Sequence, residues 1–182
     1  LHGHLGVGDE VTLKTRSGVT LVGTVAVSCF EPNSVDVGVI LLNDTSEFEH
    51  YVPWVSDQVR LTQDLTVVGL KYGSFGDNIC PYARKCSVDL IETHEGAALI
   101  QSSYYNFDGC SGAGVVTTTI GNTLSVVGVH VGSHEDSRIV PEGKKKKRSL
   151  DELEGSILSQ IHGHTSYCLI CDIGRVPSVV AY

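Results

Sequence analysis

A short run of small residues around Ser111 is the part of the chain best suited to chemistry. Residues 109–114 read GCSGAG and lie between two runs rich in β-forming residues. A turn of this kind can present the serine hydroxyl as a nucleophile, while its backbone N–H groups face the oxyanion that forms during acyl transfer. Such a site also needs a base that takes the hydroxyl proton and an acid that orients the base. The sequence therefore predicts an acyl-transfer site centred on Ser111.

The charge of the chain excludes some classes of partner. The 182 residues carry a formal net charge of −8 at pH 7, which argues against nucleic acid as the main ligand. One basic run departs from this balance, and such a run is more typical of a solvated linker than of a phosphate-binding face. Its residues are Lys144, Lys145, Lys146, Lys147 and Arg148. The sequence therefore predicts at most a weak contact with nucleic acid there.

The cysteines and the apolar runs indicate the compartment. Six cysteines are scattered singly through strand-like runs, as small buried hydrophobic residues often are, and the sequence shows no recognisable secretory signal. No apolar run approaches the length of a membrane span. We therefore predict a reduced, cytoplasmic chain with no membrane partner.

The elements that would position Ser111 are predicted to be β-strands. Short apolar runs rich in Val, Thr, Ile and Tyr recur along the chain, separated by turn residues. They form two blocks of similar size, joined by a loop at 73–82 that lacks periodicity. We predict an all-β protein with one antiparallel β block at 1–76, a second at 77–141, and a basic linker, helix and C-terminal extension at 142–182.

The C-terminal part differs in kind from the two blocks. Ser149 and Glu152 form a capping box, and the apolar residues that follow, up to Ile161, share one helical face. Two more strands are predicted after this helix, at 167–171 and 176–182. The helix and strands are expected to extend the second block.

This order of features resembles a known family. The two β blocks, the Gly-x-Ser-Gly turn and the run GVHVG at 128–132 are similar to the chymotrypsin-like proteases, especially the serine main proteases of positive-strand RNA viruses. The resemblance is specific over 107–133, moderate over 63–68 (QDLTVV) and weak elsewhere. It implies two antiparallel β-barrels of the six-stranded type and cleavage of a viral polyprotein after Glu or Gln. In the family, a strand of the form Asp-Leu-Ala-hydrophobic-hydrophobic carries the catalytic acid at its start, and Asp64 occupies that position here.

The resemblance also implies roles for individual residues. Ser111 is expected to be the nucleophile, because the nucleophile of the motif directly precedes Gly, and Cys110 is expected to point away and pack. The N–H groups of Gly109 and Ser111 are expected to form the oxyanion hole. His130 is expected to line the pocket for the side chain before the cleaved bond, since an imidazole donor suits an amide or a carboxylate, and a core histidine is the alternative. Three further residues are expected to bind substrate: Asn106, Gly128 and Val129.

Three interpretations of the base stay open. His50 precedes Asp64 in the chain order that the family requires, but by a short interval, and is our preferred base. His2 or His4 is the second possibility, although a chain terminus is usually mobile. In the third, the base is absent, and the serine hydroxyl would be a poor nucleophile.

The sequence leaves two alternatives to the protease, a zinc site and a non-catalytic binding module. His162, His164, Cys168 and Cys171 are four possible zinc ligands, but the histidine pair is too close for the usual spacing, and strand alternation directs the two cysteines to opposite sides. We therefore expect no metal and no cofactor. The prediction is a serine endopeptidase acting on a peptide or polyprotein. The alternative is a trypsin-fold module that lacks the catalytic His and binds an extended peptide or RNA without cutting it.

Overall fold

Most of the described chain is β-strand. The computed structural model describes residues 5–29, 36–54, 59–72, 79–94, 97–106, 109–118, 122–133 and 164–181. Within these ranges lie ten strands in two antiparallel sheets, together with one 3₁₀ helix and one short α-helix. The expected all-β class is therefore confirmed.

The small sheet contains the first three strands. They are β1 (Glu10–Lys14), β2 (Thr20–Cys29) and β3 (Val37–Leu42), in the order β1-β2-β3. Burial alternates along β2, where Leu21, Val25 and Val27 are buried. This alternation is typical of an antiparallel sheet that packs on one face and is solvated on the other.

The large sheet contains the other seven strands. Their bounds are β4 (Asp64–Tyr72), β5 (Ile79–Ser87), β6 (Leu90–His94), β7 (Ala97–Asn106), β8 (Gly114–Thr118), β9 (Leu124–Ser133) and β10 (His164–Asp172). The order across the sheet is β5-β4-β8-β9-β10-β7-β6. The sheet is curled, so that β5 and β7 also touch, and it encloses the main core around Leu65, Val67, Ile100, Val115 and Ile170.

The division of the chain between the two sheets does not coincide with the predicted boundaries. The first block was expected to end at 76, but β4 lies in the large sheet between β5 and β8. An extension was expected from 142 onwards, but β10 lies between β9 and β7, with residues 168–171 buried. Both strands bury apolar side chains in the core of the large sheet. Hydrophobic patterning identifies a strand and its buried face, but not the sheet that receives it.

The chain after β10 is helical rather than extended. Ile173–Arg175 forms a 3₁₀ helix and Pro177–Val180 forms a short α-helix, α1, so the strand predicted over 176–182 is wrong. Pro177 lies in the first turn of α1, where its fixed φ and missing N–H are favourable. Neither helix in this described part of the chain is long and apolar enough to cross a membrane. The basic run and the helix predicted over 144–161 lie outside the described residues.

The two sheets meet at a second apolar cluster, which we call the contact cluster. Five buried residues of the large sheet and the segment after it form the cluster: Leu99, Val131, Leu169, Cys171 and Val176. Three partly buried residues pack against them, two from the small sheet and one from α1: Cys29, Val37 and Val179. Leu99 and Leu169 alternate along their strands with residues of the main core, so this cluster lies on the opposite face of the large sheet.

Candidate active site

Ser111 lies in a tight turn just before β8. The amide N–H of Ala113 donates to the carbonyl of Cys110 (2.9 Å), and Gly112, the third residue of the turn, has a φ of +88°. A positive φ at this position is the pattern of a type II turn and favours glycine, which has no Cβ to clash. Gly109, just upstream, has a φ of +94°. The two glycines therefore bend the chain on both sides of the nucleophile candidate.

The turn separates the two side chains that could act as nucleophiles. Cys110 is only 3% exposed and lies in the protein interior, whereas Ser111 is exposed. A buried thiol cannot meet a substrate carbonyl, and it behaves as a small hydrophobic residue. Cys110 thus packs inward as predicted, and Ser111 is the exposed residue of the two.

Backbone hydrogen bonds attach this turn to β9. The N–H of Gly112 donates to the carbonyl of His130, and the N–H of His130 donates to the carbonyl of Ala113, both at 2.9 Å. On either side of His130, β9 carries an irregularity in its pairing, at Val127 against β8 and at Val131 against β10. Such bulges bend a strand and redirect its side chains, often next to active sites. The position of Ser111 is therefore tied to that of His130.

There is open space around the expected oxyanion hole. A Cβ built on Gly109 or on Gly112 would meet no other atom within 4 Å. In the described part of the chain, no hydrogen bond uses the N–H of Gly109. A backbone donor that is exposed and uncommitted can bind a developing negative charge. The predicted role of Gly109 is compatible with this geometry.

His130 is held inside the curled sheet by Tyr104. The imidazole is 4% exposed and its Nδ1 is hydrogen-bonded to the hydroxyl of Tyr104 on β7, which is itself 3% exposed. Their rings meet edge to face, with centroids 5.7 Å apart. Burial lowers the pKa of His130 to about 4 and raises the pKa of Tyr104 well above its usual range. At neutral pH both groups are therefore uncharged, and the imidazole is fixed in orientation.

The three residues expected beside His130 have different surroundings. Asn106, at the end of β7, is buried, and its Nδ2 donates to the Sγ of Cys168 (3.0 Å). Gly128 is buried against β10, where a Cβ would lie 2.6 Å from the carbonyl oxygen of Cys171, so close strand packing alone explains this glycine. Val129 is half-buried between β8 and β10. Asn106 is thus a buried polar residue bonded to Cys168, and Gly128 is a packing residue.

The structure does not bring Asp64 to Ser111. In the antiparallel pairing of β4 with β8, Thr66 lies opposite Val116 and Val68 opposite Gly114, so Asp64 falls beside the far end of β8. The carbonyl of Asp64 accepts a hydrogen bond from Thr117 there (3.1 Å). From Gly114 to the end of β8 the strand rises about 13 Å, and Ser111 lies further on. No imidazole can bridge that separation.

His50 is likewise not placed as a base. It is exposed, on the segment between β3 and β4, and this segment reaches β9 where the N–H of Val126 donates to the carbonyl of Pro53 (2.8 Å). Among the described residues, neither the His50 imidazole nor the Asp64 carboxylate takes part in a hydrogen bond or an ion pair. His2 and His4 lie outside the described residues. The predicted set of His50, Asp64 and Ser111 is therefore not assembled.

A second aspartate at the start of a strand, Asp36, was not predicted as a site residue. It directly precedes β3 in the run DVGVI (36–40), a second Asp-hydrophobic-small-hydrophobic-hydrophobic pattern that could have been found in the sequence. Asp36 is half-buried, and its φ of +49° is rare for a residue with a side chain. Its neighbour Val37 packs on the contact cluster, which includes Val131 next to His130. Asp36 thus directly precedes the strand of the small sheet that packs on this cluster.

Of the four possible zinc ligands, the structure describes the side chains of Cys168 and Cys171. Cys168 belongs to the main core and Cys171 to the contact cluster, so the two thiols face opposite sides of β10, as strand alternation predicted. His162 lies outside the described ranges. Within those ranges no group of three or more His, Cys, Asp or Glu residues is arranged to hold a metal ion.

No protein-family model matches the chain, and no curated protein matches it significantly.

Proposed function

We propose that this protein is a serine endopeptidase of the chymotrypsin-like kind, with Ser111 as the nucleophile. One observation carries the proposal: an exposed serine on a glycine-flanked turn is hydrogen-bonded to the strand of a buried, neutral His130. The nucleophile and the pocket residue thus belong to one rigid unit. Acyl transfer benefits from such rigidity, because the scissile carbonyl has to be held in attack geometry.

In the proposed reaction, the Oγ of Ser111 attacks the scissile carbonyl and its proton passes to an imidazole base. The N–H groups of Gly109 and Ser111 stabilise the oxyanion. The base then gives the proton to the leaving amine, and a water molecule repeats these steps on the acyl-enzyme. These steps use no cofactor.

In this proposal the acid is Asp36 instead of Asp64. The register of β4 and β8 separates Asp64 from Ser111 by more than the length of β8, whereas Val37 packs on the cluster that contains Val131. The acid and the nucleophile would then come from different sheets and face each other where the sheets meet. The unusual φ of Asp36 is consistent with a functional constraint, because backbone strain concentrates at active sites.

We propose His4 as the base to be tested first, with His50 as the competing residue. His4 precedes Leu5, and the carbonyl of Leu5 accepts a hydrogen bond from the Ser28 hydroxyl at the end of β2 (2.9 Å). Ser28 pairs with Gly38, two residues after Asp36. The described chain that follows His4 is therefore fixed beside the start of β3. For His50 the described residues show no comparable contact.

His130 supports cleavage after Gln or Glu. With the Tyr104 hydroxyl donating to Nδ1, the hydrogen of the neutral ring is on Nε2, which then donates to a side-chain carbonyl oxygen of the substrate. Because His130 stays uncharged at neutral pH, it offers a hydrogen bond and no ion pair. A buried carboxylate without a countercharge is costly, so Gln should be preferred over Glu.

The finer fold and the biological setting are part of the same proposal. The curled large sheet would correspond to the second barrel of a chymotrypsin-like protease, and the small sheet to part of the first. The setting would be the processing of a viral polyprotein. Support for this comes from the resemblance over 107–133 and from the geometry of the Ser111 turn.

Covalent labelling tests the proposal directly. We would treat the folded protein with a fluorophosphonate and determine the labelled residue by peptide mass spectrometry. We expect one adduct on Ser111, none in Ser111→Ala, and a strong decrease in His4→Ala but not in His50→Ala. Peptides with Gln, Glu or Ala before the scissile bond then test the pocket, with Gln expected to be cleaved fastest.

Two results would contradict the proposal. A folded protein with unlabelled Ser111 and no turnover of any peptide would exclude the endopeptidase and favour a module that binds peptides without cutting. Labelling that persists in Ser111→Ala would place the nucleophile elsewhere.

A further inference from the structure

The short helix α1 contacts the small sheet beside the proposed acid. The Sγ of Cys29, at the end of β2, lies 3.0 Å from the Oγ of Ser178 in α1. Cys29 pairs with Val37 across the sheet, and Val37 directly follows Asp36. The helix α1 therefore contacts Cys29, which pairs with the first residue of β3.

Apolar packing joins the same elements. Val179 of α1 and Val37 of β3 both pack on the contact cluster, and Val176, just before α1, is a buried member of it. The beginning of β3 is thus enclosed by the large sheet and by the chain that follows β10. The side chains of α1 thus pack on the same cluster as the first residue of β3.

The chain between β10 and α1 is anchored to the large sheet. Asp172, the last residue of β10, is buried and accepts a hydrogen bond from the N–H of Gly174 (3.1 Å). The guanidinium of Arg175 lies 3.6 Å from the same carboxyl group. Asp172 also lies opposite Gly128 of β9, the strand that carries His130. Asp172 therefore connects the segment before α1 to β10, and β10 pairs with the strand to which the Ser111 turn is hydrogen-bonded.

We propose that Ser178 and Val179 are positioning residues that hold Asp36 at the distance from Ser111 that catalysis requires. This inference rests on the proposed function for the role of Asp36. The two residues touch neither the substrate nor the reacting atoms. They act through Cys29 and Val37, which locate the beginning of β3 on the large sheet.

Two valines in α1 allow a matched test. Val179 packs on the contact cluster, whereas Val180 is exposed, so Val179→Ala and Val180→Ala remove the same atoms from neighbouring positions. In Val179→Ala combined with Ser178→Ala we expect kcat to fall about tenfold or more, with KM changed less than about twofold, because the pocket lies in the large sheet. Val180→Ala should behave like the wild type.

The pH profile separates positioning from loss of stability. A carboxylate held beside the base raises the pKa of the imidazole, so its displacement should move the acidic limb of the kcat profile to lower pH. A merely less stable enzyme would lose active protein without this movement. Equal kcat values and identical profiles for the variant and the Val180→Ala control would overturn the inference.

Hydrogen exchange tests the same inference without activity. In the double variant, the amides of β3 should exchange faster, while those of β8 and β9 keep their protection. Unchanged protection in β3, or an equal loss in both sheets, would overturn the positioning role. Failure of the proposed function would be recognised separately, as a wild-type protein that neither labels at Ser111 nor cleaves peptides.

Discussion

Strands β3 and β4 begin with similar sequences and end in different sheets. Residues 36–40 read DVGVI and residues 64–68 read DLTVV. Within the described residues, β3 pairs only with β2, at the edge of the small sheet, whereas β4 is paired on both sides by β5 and β8. Asp36 is half-buried, next to a residue that packs on the contact cluster, whereas Asp64 is exposed beside the end of β8 that is far from the Ser111 turn.

The difference shows what a strand motif specifies and what it leaves open. An aspartate followed by alternating apolar residues indicates the start of a strand and its buried face. It does not indicate the neighbouring strand. Leu65 and Val67 are buried in the main core, and this burial commits β4 to the large sheet and carries Asp64 away from the turn.

The strongest test of the comparison removes one charge from each strand. Asp36→Asn should lower kcat by about a thousandfold or more, since the proposed acid would fix the tautomer of the base and stabilise the imidazolium. Asp64→Asn should change kcat by less than about twofold, because its carboxylate makes no contact within the described residues. Steady-state cleavage of a Gln peptide measures both. A larger loss in Asp64→Asn would reverse the assignment.

A second test compares how much a valine of β4 and a valine of β3 contribute to the stability of the protein. Val67→Ala on β4 should lower the free energy of unfolding by about 2–3 kcal/mol, because Val67 is fully buried and a cavity would remain. Val39→Ala on β3 should cost about 1 kcal/mol or less, since Val39 is only half-buried. Urea denaturation of both variants gives the two values. Equal losses would show that β3 is packed as tightly as β4.

A third test asks whether the large sheet acts in binding while β3 acts in chemistry. Tyr104→Phe removes the partner of the buried His130 Nδ1, and an unsatisfied buried nitrogen costs about 1–3 kcal/mol. We expect KM for a Gln peptide to rise about tenfold, with a much smaller change in kcat. Fluorophosphonate labelling of Ser111 should persist, because the reagent does not need the pocket. Loss of labelling together with binding would show that Tyr104 supports the turn itself.

The smallest expected effect is the pH dependence of the pocket. His130 titrates near pH 4 in the folded protein, against an ordinary value of about 6.5. Because the folded-state pKa is lowered, the stability from its neutral form is present above pH 6.5 and is lost as the pH falls towards 4. Binding of a Gln peptide to Ser111→Ala, measured by calorimetry, should therefore stay constant from about pH 8 to about pH 5. A change centred near pH 6.5 would mean that His130 is solvated.

Parts of the candidate site were predictable because they depend on local chemistry. The glycines around Ser111 predict a turn with unusual backbone angles, and Gly109 and Gly112 both have positive φ. The inward packing of Cys110 followed from its place in the motif. The extended run around Gly128 and His130 predicted β9. Each of these conclusions needs only neighbouring residues.

Other parts failed because they depend on residues far apart in the chain. The pairing of Tyr104 with His130 joins β7 to β9, and nothing local to Tyr104 indicates its partner. The strand predicted over 176–182 is helical, because Pro177 suits a first helical turn and Val176 and Val179 pack on the contact cluster. The prediction of Asp64 as the acid relied on motif similarity alone, and Asp36 was not considered.

By itself, the sequence determined the β class, the turn that exposes Ser111 and the strand that carries His130, since turn angles and alternating burial are properties of short segments. The tertiary structure decided that Asp64 lies beside the far end of β8, which tyrosine holds the histidine, and where α1 contacts the small sheet. The physical reason is that a strand can bury its apolar face in more than one sheet, and only the packing of the whole core selects one arrangement.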